Sequence, residues 1–415
     1  MSSIASQDMP APGHSSAREA AFAWYLVGHA SWYMSFGLQI VLYPAILAFV
    51  LQASPIGIGF GQAAAFLPGL VFVLLGGAMS DRSDGRLLIR SLHLLALAVP
   101  VALAVHAGWQ GSVSMVCAVL YGLAMGTCGA FLLPSRDAAV SRVAPRGIQH
   151  AVAAAVTVQF GAQLVGMTLA GAASAVGLAP ILVLQSGILA LGALAAHRLP
   201  ALPPVARTGL GATRTILKGA RCVGESDAIL PVVLVVFAGG ACVIGASVVV
   251  TPMLVRQFYD GDALHLSGLS FAFWSGCFLV TSTLMRRKVA RPGRVIATSL
   301  LLGSGAFSTT MVGLPYAVAL VAFAAWGAGT GAAIALARSV AQLHAPAELR
   351  ATVLAFYGLA ATGGIPLGSL AWGATLEVGG LGLTIGLAAL CLIAALLLLV
   401  WKTRLWSLSY GKENT

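Results

Sequence analysis

One apolar stretch of the sequence combines an ionisable side chain with aromatic and amide groups at helical spacing. A helix advances ~100° per residue, so one broad face carries six side chains, with Gln39 at its edge: His29, Trp32, Tyr33, Phe36, Ile40 and Tyr43. Such a face is costly against lipid and suits the wall of a cavity. Because the reference pKa of histidine is about 6.5, we predict His29 as a proton-coupling group. The alternative is a neutral His29 that is hydrogen-bonded to a neighbouring helix.

Amides occur in other apolar stretches. Gln159 and Gln163 are four residues apart and share one helix face, and Gln185 lies in the middle of the next stretch. We predict that all three line a substrate cavity, and the alternative is that each joins two helices by a hydrogen bond. Three further side chains are predicted at this cavity: Gln62, Trp274 and Trp326.

Other chemistry has little support in the sequence. It contains no G-x-x-x-x-G-K-[S/T] phosphate loop, and its six cysteines include no C-x-x-C pair. No apolar stretch pairs a nucleophile with a base. We therefore expect no enzymatic activity, no metal site, no cofactor and no use of ATP by this chain alone.

The elements that position these residues follow from the scarcity of charge. Of 415 residues, 59% are hydrophobic and 8% are charged, whereas a soluble domain is about 25% charged. This composition excludes a soluble enzyme. A membrane-spanning helix needs ~20 apolar residues, and the gaps between charged residues hold twelve, numbered here as spans 1 to 12. Two spans each fall in 20–80, 91–135, 147–197 and 295–337, and one each in 228–255, 263–285, 351–376 and 378–401.

The basic residues predict the orientation of these spans. With both termini in the cytoplasm, 22 of the 23 Lys and Arg residues lie on the cytoplasmic side. The exception is Arg256, which we predict to be an exposed loop charge. The net charge of +11 therefore indicates a lipid bilayer as partner and no nucleic acid. No Asp or Glu falls inside a predicted span, and His29 is the only ionisable group, tyrosines apart, that lies well inside one.

The twelve spans divide into two halves. We predict a cytoplasmic tail over 1–19, a six-helix bundle over 20–197, a linker over 198–227, a second bundle over 228–402 and a tail over 403–415. The linker includes a basic, amphipathic segment around 213–223 that we expect to lie on the cytoplasmic face. The halves echo each other, because Arg136 and Arg338 both end a span and are both followed by proline within nine residues. Two related halves predict a substrate site between them.

Three stretches resemble a known family. The loop G-G-A-M-S-D-R-S-D-G-R (76–86) resembles the signature of the major facilitator superfamily. The stretches F-L-L-P-S-R-D-A-A-V-S-R-V-A-P (131–145) and A-E-L-R-A-T-V-L-A-F-Y-G-L-A-A-T-G-G-I-P-L-G-S-L (347–370) are similar to the drug and siderophore exporter branch that includes the enterobactin exporter.

The resemblance implies an all-α membrane protein with twelve transmembrane helices in two pseudo-symmetric six-helix bundles. It further implies a secondary active transporter that works by alternating access and exports a small organic molecule, a siderophore, across the bacterial inner membrane. We expect the transporter to be coupled to protons, as the position of His29 predicts, and to be a monomer. The alternatives are uptake of such a molecule and a non-transporting assembly factor of the same fold.

The resemblance also implies a conformational latch at the first of these loops. Gly77 would allow close helix approach, and Asp81 would lie at the positive N-terminus of span 11. Arg82 or Arg86 would pair with Asp137, which favours the outward-facing state in the family. The alternative is that the arginines only set the topology.

Two departures from the family pattern are present. The equivalent loop of the second half, M-R-R-K-V-A-R-P-G-R, has no acidic residue, and Met167 stands where antiporters usually carry proline. The second departure leaves the direction of transport open.

Overall fold

The structure, a computed structural model, describes residues 12–145, 148–204, 212–284, 287, 289–346 and 348–408. Within these ranges the secondary structure is entirely helical. The first half contains spans 1 to 6, which are the helices Pro12–Ala45, Pro55–Arg82, Gly85–Gln110, Met115–Val143, Ile148–Gly171 and Leu178–His197. Span 1 continues through a π-helical turn, Ile46–Val50, and the short helix Ala173–Val176 connects spans 5 and 6.

The second half begins after a linker helix, Ala212–Glu225. Span 7 consists of two helices joined by a π-helical turn: Ile229–Gly239, Gly240–Ile244 and Gly245–Phe258. Spans 8, 9 and 10 are Ala263–Leu284, Pro292–Ser308 and Tyr316–His344. Short 3-10 turns follow span 9 (Thr309–Val312) and span 12 (Leu405–Ser407).

Spans 11 and 12 form one helical stretch, Arg350–Lys402, of 53 residues. At 1.5 Å per residue this stretch is roughly 80 Å long, far more than the ~30 Å of a bilayer core. The backbone breaks at Gly380, where φ is 70° and ψ is −178°. The break divides the stretch into two spans. Eleven described stretches, this double one included, are long and apolar enough to cross a membrane, so the predicted twelve-span, all-α fold is confirmed.

Helix starts follow from side chains that cap the first turn. Ser54 accepts from the Gly57 amide before span 2, and Ser114 accepts from the Cys117 amide before span 4. Asp84 caps span 3 with one carboxylate oxygen, and its other oxygen accepts from the linker amide of Leu202 at 3.1 Å. Asp84 therefore also fastens the linker to the first half.

The two ends of the bundle differ in charge. We call the end with the 2–3 loop, the linker helix and the end of span 12 the basic end, and the end with the loops 51–54, 259–262 and Gly380 the far end. Between the halves, span 2 packs against span 11 and span 5 packs against span 8. The linker helix packs its Gly219 against Thr352 and Phe356 at the start of span 11.

We expect Gly380→Ala to lower the free energy of unfolding by about 1–3 kcal/mol, because the Gly380 backbone lies in a region that L side chains rarely adopt. Chemical unfolding in detergent measures this change. Gly382→Ala is the matched control, since Gly382 has open space around it and no positive φ. Equal stability of the two variants would contradict the break at Gly380.

Candidate functional site

The site of the first half is built on the buried face of span 4. Buried residues recur along this helix every three or four positions: Tyr121, Met125, Cys128, Leu132, Arg136, Ala139 and Val143. This spacing keeps one face of a helix turned to the bundle interior. Arg136 continues that face and is only 1% exposed.

The guanidinium of Arg136 contacts aromatic and histidine side chains of span 1. Its Nη2 lies 2.9 Å from His29 Nδ1, and its Cζ lies 4.5 Å from the centre of the Tyr33 ring. Tyr25 donates from its hydroxyl to the Arg136 carbonyl at 3.3 Å. We call these four residues the Arg136 cluster.

The protonation of His29 follows from this geometry. A guanidinium can only donate, so Nδ1 of His29 must accept, and the ring carries its proton on Nε2. Protonating Nδ1 would replace the hydrogen bond by a contact between two donors. His29 is 5% exposed, and the structure therefore places it as a neutral, hydrogen-bonded side chain in this conformation. Its role in proton coupling stays a prediction.

Most of the hydrogen-bonding capacity of Arg136 is unused. Nε and Nη1 have no partner among the described residues, which leaves three of five N–H groups unpaired. Burying a charged group without an opposite charge costs several kcal/mol by order of magnitude. Beside the cluster lies a cavity of about 10 Å³, lined in part by Trp24, Ile89 and Leu199, which is about the size of one water molecule.

Two further charged side chains lie close to the cluster. Asp137 follows Arg136 on span 4 and is exposed, and it interacts electrostatically with both Arg136 and Arg338 of span 10. Arg338 also interacts with the hydroxyl of Tyr33. Arg136 and Arg338, which the sequence predicts as equivalent residues of the two halves, thus act on the same region between the halves.

These positions correct two expectations from the sequence. Span 4 continues to Val143 instead of ending at Arg136, so Arg136 and Asp137 are both inside a spanning helix. His29 is also not the only ionisable group of its kind, because His93 of span 3 is 0% exposed. The expectation failed because a span was taken to end at its first charged residue. The three- to four-residue spacing of the buried face is the signal that identifies Arg136 as interior.

Three of the predicted cavity residues pack inside the first half. Trp32 lies against the His93 ring at a centroid distance of 6.0 Å, and Tyr43 donates to the Gly61 carbonyl at 2.8 Å. Gln185 accepts from the Tyr121 hydroxyl at 2.9 Å and donates to Ser35 Oγ at 3.2 Å. In this conformation these groups join helices to one another, and a contact with substrate stays a prediction.

Within the described ranges, four other predicted cavity residues have no hydrogen bond or ring contact that joins them to a neighbouring helix, and three of them are partly exposed. Phe36, Gln39 and Gln159 are partly exposed. Gln163 is 1% exposed, and its amide nitrogen has no partner among the described residues. Their assignment to a substrate cavity stays a prediction.

The remaining predicted cavity residues lie in both halves. Gln62 is buried in span 2, and Trp274 contacts the Phe160 ring of span 5 at 6.3 Å. Trp326 lies in an aromatic core of the second half, 4.2 Å from Phe273 and 4.6 Å from Phe307 between ring centres.

The predicted latch is not engaged in the described part of the basic end. Arg82 is exposed, Arg86 is half-buried with an unpartnered Nε, and neither bonds to Asp137. A Cβ at Gly77 would meet open space, whereas the neighbouring Gly76 packs against span 4. The side chain of Asp81 lies outside the described residues. The latch stays a prediction for another conformation.

The far end, by contrast, joins the halves through several polar contacts. Arg256 of span 7 is half-buried and donates to the carbonyls of Ala48 and Ala53 at 2.9 and 3.0 Å. Glu377 of span 11 accepts from the Ile56 amide at 3.2 Å. The sequence-based reading of Arg256 as an exposed loop charge is therefore wrong, because its guanidinium satisfies carbonyls at the end of span 1.

A second pair of far-end contacts joins span 8 to the first half. Ser174 accepts from the Leu264 amide at 3.1 Å, and Ser267 donates to the Met167 carbonyl at 2.7 Å. Burial raises the pKa of Asp262, but hydrogen bonds from His265 and Ser174 outweigh that effect and hold the pKa below its usual value. Asp262 therefore stays ionised at this contact at neutral pH.

The described residues contain no group of three or more His, Cys, Asp or Glu side chains that could hold a metal ion.

Comparison with known proteins identifies the family. A family model described as the Major Facilitator Superfamily matches residues 25–369. The chain therefore belongs to the Major Facilitator Superfamily, and it is a multi-pass membrane transporter, not an enzyme. No curated protein matches its sequence.

Solved structures share the fold at low sequence identity. A point mutant of the nucleoside transporter NupG superposes with a TM-score of 0.75 at 11% identity, covering 92% of this chain and 99% of that one. A bacterial homologue of the human lysosomal transporter Spinster, inward-facing and unoccupied, gives 0.68 at 14%, with 96% and 98% covered. An auto-inhibited POT family peptide transporter gives 0.69 at 15%, with 92% and 95% covered.

We expect Tyr121→Phe to lower the free energy of unfolding by about 1–3 kcal/mol, because it leaves the buried Gln185 oxygen without its donor. Tyr259→Phe is the control, since the Tyr259 hydroxyl bonds a loop carbonyl at a partly exposed position where water can replace it. Unfolding in detergent measures both variants. A larger loss in Tyr259→Phe would contradict the structural role of the Tyr121 pair.

Proposed function

We propose that this protein is a secondary transporter that carries a small organic molecule by alternating access between its two halves. One observation carries the proposal: every hydrogen bond between the halves, among the described residues, lies at the far end. A transporter that closes at one end and is free of such bonds at the other is in one of its two access states.

The distribution of basic residues supports an assignment of the sides. With 22 of 23 Lys and Arg residues on one side, we propose that the basic end faces the cytoplasm of a bacterial inner membrane and that both termini lie there. The conformation described above is then the inward-open state. The monomer is the proposed working unit, because one chain contains both halves.

We expect Arg256→Gln to shift the population away from this state, because it removes two hydrogen bonds from a charged donor, each worth about 1.5–3 kcal/mol. The measurement is the yield of disulfide cross-linking between Ile56→Cys and Glu377→Cys in a cysteine-free background. The yield should fall in the Arg256→Gln variant.

The control for that experiment is Arg404→Gln, which removes an exposed ion pair between the C-terminal tail and Asp227 at the end of the linker. Its cross-linking yield should match that of the parent protein. An unchanged yield in Arg256→Gln would contradict alternating access through the far-end contacts.

Export of a siderophore is the specific function that we propose. Its support is the similarity of residues 131–145 and 347–370 to the drug and siderophore exporter branch. The structural neighbours are a nucleoside transporter, a Spinster homologue and a peptide transporter, and at 11–15% identity they support the fold and not a substrate.

A deletion strain under iron limitation tests the direction and the substrate class. The siderophore should accumulate inside the cells and decline in the medium, and the intact gene should reverse this, whereas Asp81→Asn should not. Unchanged secretion with impaired use of added ferric siderophore would mean uptake. No change in either would refute the siderophore as substrate.

Proton coupling through His29 is a separate proposal. Its support is the position of His29 on span 1 beside Arg136, where a change in access could break the hydrogen bond that now keeps Nδ1 unprotonated. We expect His29→Gln to abolish uptake or release driven by a pH gradient in proteoliposomes. Full gradient-driven transport in this variant would exclude His29 as the coupling group.

A further inference from the structure

We propose that Arg136 binds the negatively charged group of the transported molecule, and that the substrates are therefore organic anions with an aromatic or apolar body. The inference rests on the transport function proposed above and adds the chemical class of the substrate. It concerns a residue that lies about two helical turns before the end of span 4, on the inner face of the first half.

The first argument is that the guanidinium of Arg136 has N–H groups without hydrogen-bond acceptors in the part of the chain that the structure describes. Arg136 is 1% exposed, its Nη2 donates to the neutral His29, and its Nε and Nη1 have no hydrogen-bond partner among the described residues. An arginine that serves only the fold normally pairs with a carboxylate or with several carbonyls when it is buried. A carboxylate, phosphate or phenolate group would supply the missing acceptors together with a negative charge in addition to that of Asp137.

The second argument is the group that covers the guanidinium. Tyr33 places its ring 4.5 Å from the Arg136 Cζ and is itself partly exposed. A cation–π contact is weaker than a charge-assisted hydrogen bond to an anion. An anionic ligand can therefore displace the Tyr33 ring. The cavity on another side of the Arg136 guanidinium, about 10 Å³ and lined in part by Trp24, Ile89 and Leu199, has room for no more than about one water molecule, so an anion would have to approach from the side of Tyr33.

The third argument is the balance of charge around Tyr33. Arg136 and Arg338 act electrostatically on this side chain from different halves, and among the described residues the Asp137 carboxylate does so as well. Two cations and one anion leave a positive site between the halves. An anionic ligand would join Arg136 of the first half to Arg338 of the second.

The body of the ligand is inferred from aromatic side chains on spans 1, 5 and 8. Phe36 lies next to Tyr33 at a centroid distance of 6.3 Å. Across the halves, Phe160 contacts Trp274 and Phe278 at 6.3 and 5.4 Å. Such rings favour a flat, apolar partner.

The experiment compares two matched ligand pairs on the purified, full-length protein in detergent. Salicylate is paired with salicylamide, and phenyl phosphate with phenol, so that each pair differs mainly in charge. We expect at least one anion to bind ten-fold or more tightly than its neutral analogue by calorimetry. Arg136→Gln should reduce this preference to less than two-fold.

Arg142→Gln is the matched control, because Arg142 lies on the same helix and is exposed. It should keep the full preference for the anion. A second variant, Tyr33→Leu, removes the covering ring and should raise the anion affinity several-fold. If Arg136→Gln does not fold, Tyr33→Leu decides alone, and an unchanged anion affinity in that variant overturns the proposal.

Two other results also overturn it: equal binding of anion and neutral analogue in both pairs, or an undiminished preference in Arg136→Gln. The failure of the transport proposal is distinguishable from these results. The cross-linking response to Arg256→Gln tests alternating access without any ligand. If that response is present and the anion preference is absent, only the assignment of Arg136 fails.

Discussion

The placement of Arg136 determines how the first half is organised. A guanidinium inside an apolar bundle must find partners in its surroundings, because lipid offers none. Span 1 supplies them as a histidine nitrogen and a tyrosine ring. These neutral partners explain why span 1 is rich in aromatic and polar side chains along one face. They carry no formal charge themselves, and Asp137 is the described carboxylate that interacts electrostatically with Arg136.

The second half is built on different packing. Trp326 is surrounded by the rings of Phe273, Phe307 and Phe323, and this aromatic core contains no charged group. The two halves share a fold, but the Arg136 cluster and the cluster around Trp326 differ. The Arg136 cluster of the first half contains a charged group, whereas dispersion and ring contacts stabilise the cluster around Trp326 in the second half.

The number of spans and their orientation could be predicted because both depend on composition alone. Long apolar gaps predict helices, and the bias of Arg and Lys predicts the sides. The break at Gly380 also agrees with the sequence, since Glu377 marks the end of span 11. Tertiary contacts could not be predicted in this way. Arg256 is a loop charge in the sequence, and only the folded structure shows that carbonyls of span 1 surround its guanidinium.

The burial of residues along a single helix could be predicted in part: better than the tertiary contacts, but less directly than the number of spans. The spacing from Tyr121 to Val143 contains the information that Arg136 faces inward. A prediction based on charge alone ends the helix at Arg136 and therefore does not place this residue in the interior of the bundle. Which of the aromatic and amide side chains meet each other depends on how the helices pack, as Tyr121 and Gln185 of spans 4 and 6 show.

The linker acts as a tether of defined length. Asp84 holds its beginning, at Leu202, against span 3 of the first half, and the linker helix holds its end against span 11 of the second. Only ten peptide steps lie between Leu202 and the start of the linker helix at Ala212. A fully extended chain of that length spans roughly 35 Å. The two halves can therefore rock and separate at the basic end only within that distance, and shortening the linker would restrict how wide the opening becomes.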